Sequence, residues 1–326
     1  MYLHGLGHFH PENVLSNAFL ESLDIGTTDE WILSRVGIRE RRTVLPLDFI
    51  KETRCRDLRA AQEAAIYPNR KTGARAATMA LGRAGVEPGQ IGLVLAGGCS
   101  PDMCIPAEAA TIAKELGIEC PAIDFSAACS SFGAQLHFFS HLGDAAPDFG
   151  LVVVPENITR VVDYTDRTTA ILFGDATAAA VISTRVPSKV RVTHTSFGSA
   201  PSGADDVWIR RTGHFGQNGA RVQKFAIKRM SELHQAHQEA VGPERRPSLY
   251  FIGHQANLTM LKSVAGRCDV AEDRHLFNIV HFGNQSSAGA PAVLSQRWDD
   301  LRPGDRVSLN VVGSGLSWAS ALFELD

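Results

Sequence analysis

The order of apolar runs in this chain repeats, and that repetition constrains its fold more than any single motif. In the first half, GLVLAGG reads as a strand ending in a glycine loop and AIDFSAACSSFG as strand, turn and helix. LVVVPEN then reads as a strand ending in a polar loop, and ATAAAVI as a further strand. In the second half the succession is LYFIGHQAN, FNIVHFGNQSSAGAP, VSLNVVGSG and ASALFEL. The first three landmarks stand about thirty residues apart in both halves, the size of one βαβ-type unit. Identity between the halves is slight; the likeness is one of patterning. A doubled α/β unit would bring matching loops of both halves to one central site, at the strand ends where open α/β sheets place their chemistry. Cys129, His254, Asn284 and the Gly313–Gly315 loop all fall at such ends.

Short apolar runs alternate with amphipathic, Ala-rich segments, the α/β signature. The patterning predicts strands at Ile91–Ala96, Ala122–Phe125, Leu151–Val154, Ala178–Ser183, Ser248–Ile252, Phe277–Val280, Val307–Val312 and Ala319–Glu324. It predicts helices at Ala74–Ala84, Ala107–Leu116, Ser130–Leu142, Val222–Ala240, Leu258–Gly266 and Ala288–Trp298, with Gly85 and Gly117 suited to be C-caps. The charged stretches Arg39–Arg42 and Glu52–Arg59 read as solvated surface. Ile50 to Lys71 has no strong periodicity and reads as an insertion or a loop near an interface.

A chain of 326 residues with 44% apolar content can build one large domain or two ordinary ones. Its formal net charge of −3 gives no global basic field for nucleic acid or membrane. Six cysteines without paired or metal-type spacing are no disulfide framework and suit a reducing compartment; Cys99 and Cys104 are too far apart for a CxxC pair. No stretch approaches the roughly 18–20 apolar residues of a membrane span, and the N-terminus lacks a charged region followed by a long apolar run. The expected setting is cytoplasmic, with no metal.

Cys129 sits in a tight small-residue turn between a short strand and a helix beginning near Ser130. Unpaired N–H groups and the dipole at a helix N-terminus favour a thiolate, and the flanking Ser126, Ala127, Ala128, Ser130 and Ser131 leave room for a substrate. A buried structural cysteine is the plainer alternative. His254, one of twelve histidines, follows the run LYFI and is placed to face a cleft, or is a hydrogen-bonded loop residue. Asn284 lies at another strand-to-helix turn, where asparagine also serves as a cap.

Together, DFSAACSSFG, GHQAN and GNQSSAGAP resemble the three active-site motifs of β-ketoacyl-acyl-carrier-protein synthase III, within the thiolase superfamily. GLGHFHPENVLSN, TTDEWILSRVGIRERR, LFGDATAAAVI and GSGLSWASALFEL resemble further signatures, so the likeness spans almost the whole chain. It implies a duplicated five-layer αβαβα fold, with an N-terminal half (1–185) carrying the cysteine and a C-terminal half (186–326) carrying histidine and asparagine. It also implies a homodimeric ketosynthase that performs a decarboxylative Claisen condensation. Cys129 would hold the acyl group, and His254 and Asn284 would stabilise the enolate of a malonyl-type or β-ketoacyl extender thioester. Backbone N–H groups of Cys129 and Ser314 would form the oxyanion hole. Thr27, Trp31 and Arg167 correspond to residues around the adenine of coenzyme A. Lys224, continued by Lys228 and Arg229, would meet an acidic acyl carrier protein. Coenzyme A or phosphopantetheine thioesters would be substrates, with no permanently bound cofactor.

The sequence departs from the family pattern in places. Thr259 stands where arginine is common, so carrier or coenzyme A contacts would fall elsewhere, for example on Lys262. GGG near the C-terminus is GSG, and Ala-Gly after the cysteine is Ser-Ser. Ile105 occupies a position that often carries phenylalanine at the end of the primer pocket, in one subunit or reaching from the other, which implies a primer longer or bulkier than acetyl. Two rival readings keep the fold: acyl transfer from cysteine to a hydroxyl or amine without decarboxylation, and a silent subunit that only binds acyl carriers.

Overall fold

A computed structural model describes residues 1–326. β1 spans Tyr2–Phe9, and β2 (Asn13–Ser16) pairs with β3 (Glu40–Thr43) in a small hairpin. β4 (Ile91–Ala96), β5 (Ala122–Asp124), β6 (Phe149–Glu156) and β7 (Ala176–Ser183) follow. Next come β8 (Val190–Ser199) and a second hairpin, β9 (Val207–Ile209) with β10 (Phe215–Gln217). β11 (Leu249–Gly253), β12 (Arg306–Gly313) and β13 (Ser317–Leu325) end the set. Helices α1 (Asn17–Glu21), α2 (Asp29–Val36), α3 (Leu47–Thr53), α4 (Leu58–Ala64), α5 (Asn69–Ala84) and α6 (Glu108–Leu116) belong to the first part of the chain. α7 (Ser131–Ser140), α8 (Arg167–Ala170), α9 (Gly219–Val241), α10 (Leu258–Arg267), α11 (Ile279–Phe282) and α12 (Gly289–Gln296) follow.

Nine strands run in the order β11-β12-β13-β8-β1-β7-β6-β4-β5. β1 and β8 pair only at Tyr2–Arg191 and Leu3–Val190, so the sheet is two blocks joined at one corner. In the first block β5, β4 and β6 are parallel, and β7 and β1 antiparallel. In the second, β11 and β12 are parallel, and β13 and β8 antiparallel. The two blocks therefore share one winding order, except at one position.

That position belongs to the expected strand Phe277–Val280, which the structure corrects. Only an isolated bridge between His275 and Phe251 remains, with the Leu276 N–H donating to Phe251 O. The chain then leaves the sheet because Asn278 is claimed by side chains. Its N–H donates to Gln255 Oε1, its Nδ2 to Gln296 Oε1, and its Oδ1 accepts from Gln285 Nε2. A helical turn, α11, follows.

Side-chain alternation builds the layers. On β6, Leu151 and Val153 join a cluster with Ala76, Ala80 and Ile112 of α5 and α6. Val152 and Val154 face the opposite way, into a cluster with Phe132, Leu136 and Phe139 of α7 and Val293 of α12. Val307, Leu309 and Val311 of β12 enter that same central cluster from the other block. Val312 turns outward toward Met230, Leu261 and Val264 of α9 and α10. The result is helix, sheet, helix, sheet, helix, with the central helices buried on both sides. In β1, a Cβ at Gly7 would come within 1.9 Å of Ala76 O, so α5 packs directly on the strand backbone.

Two further expectations change. Residues 50–71 are not irregular: α3 and α4 lie there, with Ile50, Cys55 and Ala61 buried and Asp57 capping α4. Arg41, read as solvated, is fully buried. It lies on β3, where alternation sends Arg41 and Thr43 inward and Glu40 and Arg42 outward. Its guanidinium donates to Ile171 O and Asn17 Oδ1, which satisfies the buried charge.

Burial also makes stability pH-dependent. Desolvation lowers His237 and His10 to about 3, and His8, His234 and His275 to about 4. These groups bind more protons unfolded than folded below their usual 6.5, so stability is lost as pH falls through that window. Buried Glu108 (about 8), Glu156 (about 7) and Asp175 (about 6) act oppositely. They hold protons longer when folded, so their contribution is full below the unfolded carboxyl value and lost as pH rises through these folded values. Between pH 4.5 and 6.5 the five histidines outnumber the three carboxyls. The thermal melting temperature should therefore rise with pH from 4.5 to 6.5, and His237→Gln should flatten that limb. An unchanged acid slope in that variant would remove the histidines as its cause.

Candidate active site

The turn after β5 presents Cys129 just ahead of α7, whose N-cap is Ser130. Ala128 holds a left-handed φ of +49°, an unusual conformation for a residue with a side chain. The turn is held by the Ser130 N–H on Ala127 O (3.1 Å) and the Ala127 N–H on Ser131 Oγ (2.9 Å). The last residue of β12 presses against it. A Cβ at Gly313 would meet Ala127 O and Ser130 N at 2.9 Å and Cys129 N at 3.0 Å.

Cys129 Sγ lies 3.3 Å from Ser286 Oγ and 3.7 Å from Cys99 Sγ. Ser286 Oγ also donates to Cys99 Sγ at 2.9 Å. The Cys129 thiol is held well below its ordinary value, first by the hydrogen bond from Cys99, then by His254 and Ser286, against the opposing effect of burial. Cys99 moves well above its ordinary value, through that same bond and burial. The two shifts favour Cys129 as the thiolate of the pair and Cys99 as the S–H donor.

His254 immediately follows β11 and is 5% exposed, its backbone N–H donating to Met230 Sδ. Asn284 follows Gly283, whose φ of +66° and 2.9 Å approach of a notional Cβ to Leu172 O both call for glycine. The Asn284 backbone is fixed by its N–H on Leu172 O and by its carbonyl, which accepts from the Gly174 N–H. Its Oδ1 accepts from the Ser286 N–H at 2.9 Å, which leaves Nδ2 without a protein acceptor.

Cys129, His254 and Asn284 line one cavity of about 200 Å³, together with Gly313 and Ser314. Phe215, Phe225, Met260 and Leu316 supply its apolar wall. Neither the Cys129 nor the Ser314 backbone N–H has an acceptor within the protein. Ser314 is instead anchored by its Oγ on Val207 O and its carbonyl under Ser317 Oγ. A second cavity, about 750 Å³, is lined by Cys99 but not by Cys129.

Arg167 and Trp31 come together, guanidinium over indole at 5.0 Å, and Arg167 also donates to Gly26 O. Thr27 is buried nearby in sequence, with its Oγ1 unpartnered. Lys224 is exposed on α9 and in no ion pair, whereas Lys228 and Arg229 share Glu232, so the basic stripe is partly neutralised. Arg229 also stacks on Trp318 at 4.0 Å. Thr259 donates to Arg35 O, and Lys262 is exposed. Ile105 is 84% exposed and lines neither cavity of its own chain. No cluster of three or more His, Cys, Asp or Glu is gathered for a metal.

The 3-oxoacyl-[acyl-carrier-protein (ACP)] synthase III family profile matches residues 123–201, and its C-terminal counterpart residues 248–325. The beta-ketoacyl-[acyl-carrier-protein] synthase III of Escherichia coli (strain K12) is 32% identical over 328 residues, 98% of this chain and 97% of that protein. The chain belongs to the β-ketoacyl-acyl-carrier-protein synthase III family. The crystal structure of the Aquifex aeolicus 3-oxoacyl-[acyl-carrier-protein] synthase III superposes with a TM-score of 0.87 at 27% identity, covering 99% of both chains. The priming β-ketosynthase of the R1128 polyketide pathway does so at 0.82 and 28%, covering 100% of this chain and 96% of that one. As a synthase III of the thiolase superfamily, this is an acyltransferase-class ketosynthase performing decarboxylative condensation in fatty acid or polyketide biosynthesis.

Several residues of this synthase III site have no strong mark in the sequence. Ser286 sits two residues after Asn284, and the repeated serines of GNQSS are its only signal. Cys99 follows a strand-ending glycine pair, the same kind of place that singles out Cys129. Glu156 is fully buried behind both. It accepts from the Cys99 N–H, the Ser287 N–H and Ser287 Oγ, and is raised to about 7 by burial and then by the Cys129 charge.

Proposed function

We propose that the chain loads an acyl group onto Cys129 and condenses it with an enolate generated under His254 and Asn284. The Cys129 thiolate attacks the acyl thioester carbonyl, and the tetrahedral oxyanion forms against the N–H groups of Cys129 and Ser314. The carrier thiol leaves with a proton, and the extender thioester takes its place. His254 and the Asn284 Nδ2 donate to its carbonyl oxygen as CO₂ departs, so negative charge develops where two donors wait. The carbanion then attacks acyl-Cys129, forms the carbon–carbon bond and expels the thiolate. The observation that carries this reading is that Cys129, His254, Asn284 and Ser314 line one cavity while the Cys129 and Ser314 N–H groups have no acceptor in the protein. Simple acyl transfer to a hydroxyl or amine has no need of paired donors at a second carbonyl.

Coenzyme A and acyl-carrier thioesters are the substrates used in this family. In this chain we assign Trp31, Arg167 and Thr27 to the adenine end of a bound coenzyme A, since the first two already stack. Lys224 is assigned to the carrier protein, as an exposed cation without a partner. A homodimer is supported by β5, an edge strand with Ile123 42% exposed, and by Met103 (47%) and Ile105 (84%) exposed on the loop between β4 and α6. In such a dimer Ile105 would reach the other subunit's pocket. The repeated winding order supports division into halves 1–185 and 186–326. No helix is long and apolar enough to cross a membrane, which suits a cytoplasmic enzyme.

Ile105 in place of a bulkier ring leads us to expect a primer longer than acetyl. Intact-protein mass spectrometry with a panel of acyl-coenzyme A thioesters and acylated carrier proteins tests this. A covalent adduct strongest at chain lengths beyond two carbons is expected. A peak at acetyl would overturn the primer assignment, and no adduct with any donor would overturn the ketosynthase cycle itself.

A further inference from the structure

We propose that Cys99 and Cys129 form a hydroperoxide-reactive thiol pair, in which Cys99 captures the oxidised nucleophile as a disulfide. Three observations meet here. The sulfurs are in contact at 3.7 Å, the one thiol–thiol hydrogen bond among six free cysteines. Ser286 Oγ holds both, at 2.9 and 3.3 Å. The two cysteines stand on loops that leave the adjacent parallel strands β4 and β5, which are in register at Ala96 and Asp124, and neither is inside a helix. Closing from contact to a bond of about 2 Å therefore needs side-chain rotation and a small loop adjustment. Cys129 lines one cavity and Cys99 the other, so a small hydroperoxide can approach the pair from either side.

The chemistry balances on the thiols alone. The Cys129 thiolate attacks the outer oxygen of ROOH, and the O–O bond breaks. RO⁻ leaves, takes a proton to become ROH, and Cys129 becomes a sulfenic acid. Cys99 sulfur attacks the sulfenic sulfur. Hydroxide leaves and takes up the Cys99 proton as water, and the S–S bond forms. The hydroperoxide is reduced by two electrons and the thiol pair oxidised by two. A sulfenic acid without a neighbouring thiol is carried by further hydroperoxide, one O–O bond broken per step, to sulfinic and sulfonic acids that thiols do not reverse. Cys99 thus turns a terminal injury to the nucleophile into a state that thiols reverse. Acylated Cys129 has no free thiolate and is spared.

The test exposes the full-length enzyme to a few equivalents of hydrogen peroxide, followed by intact mass, non-reducing peptide mapping and acyl uptake. Wild type should lose about 2 Da, yield one cross-linked peptide joining positions 99 and 129, and regain acyl uptake with dithiothreitol. Cys99→Ser should gain two or three oxygens at Cys129, the sulfinic or sulfonic state, and stay inactive after dithiothreitol, while Cys104→Ser should behave as wild type. The proposal is overturned if Cys129 links to a different cysteine, or if wild type reaches the sulfinic state as readily as Cys99→Ser. The wild-type cross-link decides the matter even if Cys99→Ser folds poorly. Because it is read by mass, it is independent of the condensation cycle: absent acyl uptake before peroxide would count against that cycle and leave this result readable.

Discussion

Cys129→Ala takes up no acyl group and loses condensation by about 10⁴-fold or more, the scale on which covalent catalysis fails when its nucleophile is removed. The expectation is sharp because a second thiol lies 3.7 Å away and still cannot substitute. The substitution removes the hydrogen bond that raises the Cys99 thiol most, but burial and the nearby Glu156 still push it above the usual thiol value. Cys99 lines the other cavity, whereas Cys129 and Ser314, whose unpaired N–H groups would receive the oxyanion, line the first. Intact mass after incubation with acyl thioesters reads the adduct, and product formation reads the cycle. An adduct of undiminished yield on Cys99 in the variant would move the nucleophile to that position.

The sequence carried the architecture because the architecture repeats. Apolar runs such as LVVVPEN and VSLNVVGSG each lie at the centre of a sheet block, buried on both faces, and they read as strands without help from context. Cys129 and His254 follow strands that their short apolar runs announce, β5 and β11 at the sheet edges, whereas Asn284 follows the helical turn α11 and not a strand. The losses occurred where tertiary contacts override local pattern. FNIV is as apolar as a strand, yet three side-chain bonds to Asn278 peel it from the sheet. RERR looks solvated, yet strand alternation buries one arginine whose charge is met by a carbonyl and an amide far along the chain.

The fine structure of the site was hidden for a related reason. Cys99, Ser286 and Glu156 act through one another, and their spacing of 57 and 130 residues (Cys99 to Glu156, Glu156 to Ser286) leaves no local signature. Only the fold makes them neighbours: the loops after β4, β5 and β6 and the turn after Gly283 converge at one end of the sheet. Pairs of this kind depend on which strands are adjacent, and a hydropathy pattern shows strands without showing their neighbours.

His254→Ala and Asn284→Ala should each cut condensation by about 10²–10³-fold, the cost of one preorganised donor at a developing oxyanion, while acylation of Cys129 falls far less. The asymmetry follows from where charge appears. In the proposed cycle the acylation oxyanion would face the Cys129 and Ser314 N–H groups, which neither substitution removes. During decarboxylation the enolate oxygen has only His254 and the Asn284 amide. Release of CO₂ from a malonyl thioester should therefore fall in step with condensation in both variants, with the acyl-enzyme accumulating. Asn284→Ala alone is ambiguous, because Asn284 Oδ1 also accepts from the Ser286 N–H and so helps place a serine that touches Cys129. Asn284→Asp separates the two roles. A carboxylate keeps the acceptor for Ser286 but sets negative charge against the enolate, so its condensation rate should fall at least as far as that of alanine. If Asn284→Asp instead retained CO₂ release near the wild-type rate, the amide would be a scaffold for Ser286 alone, and enolate stabilisation would rest on His254.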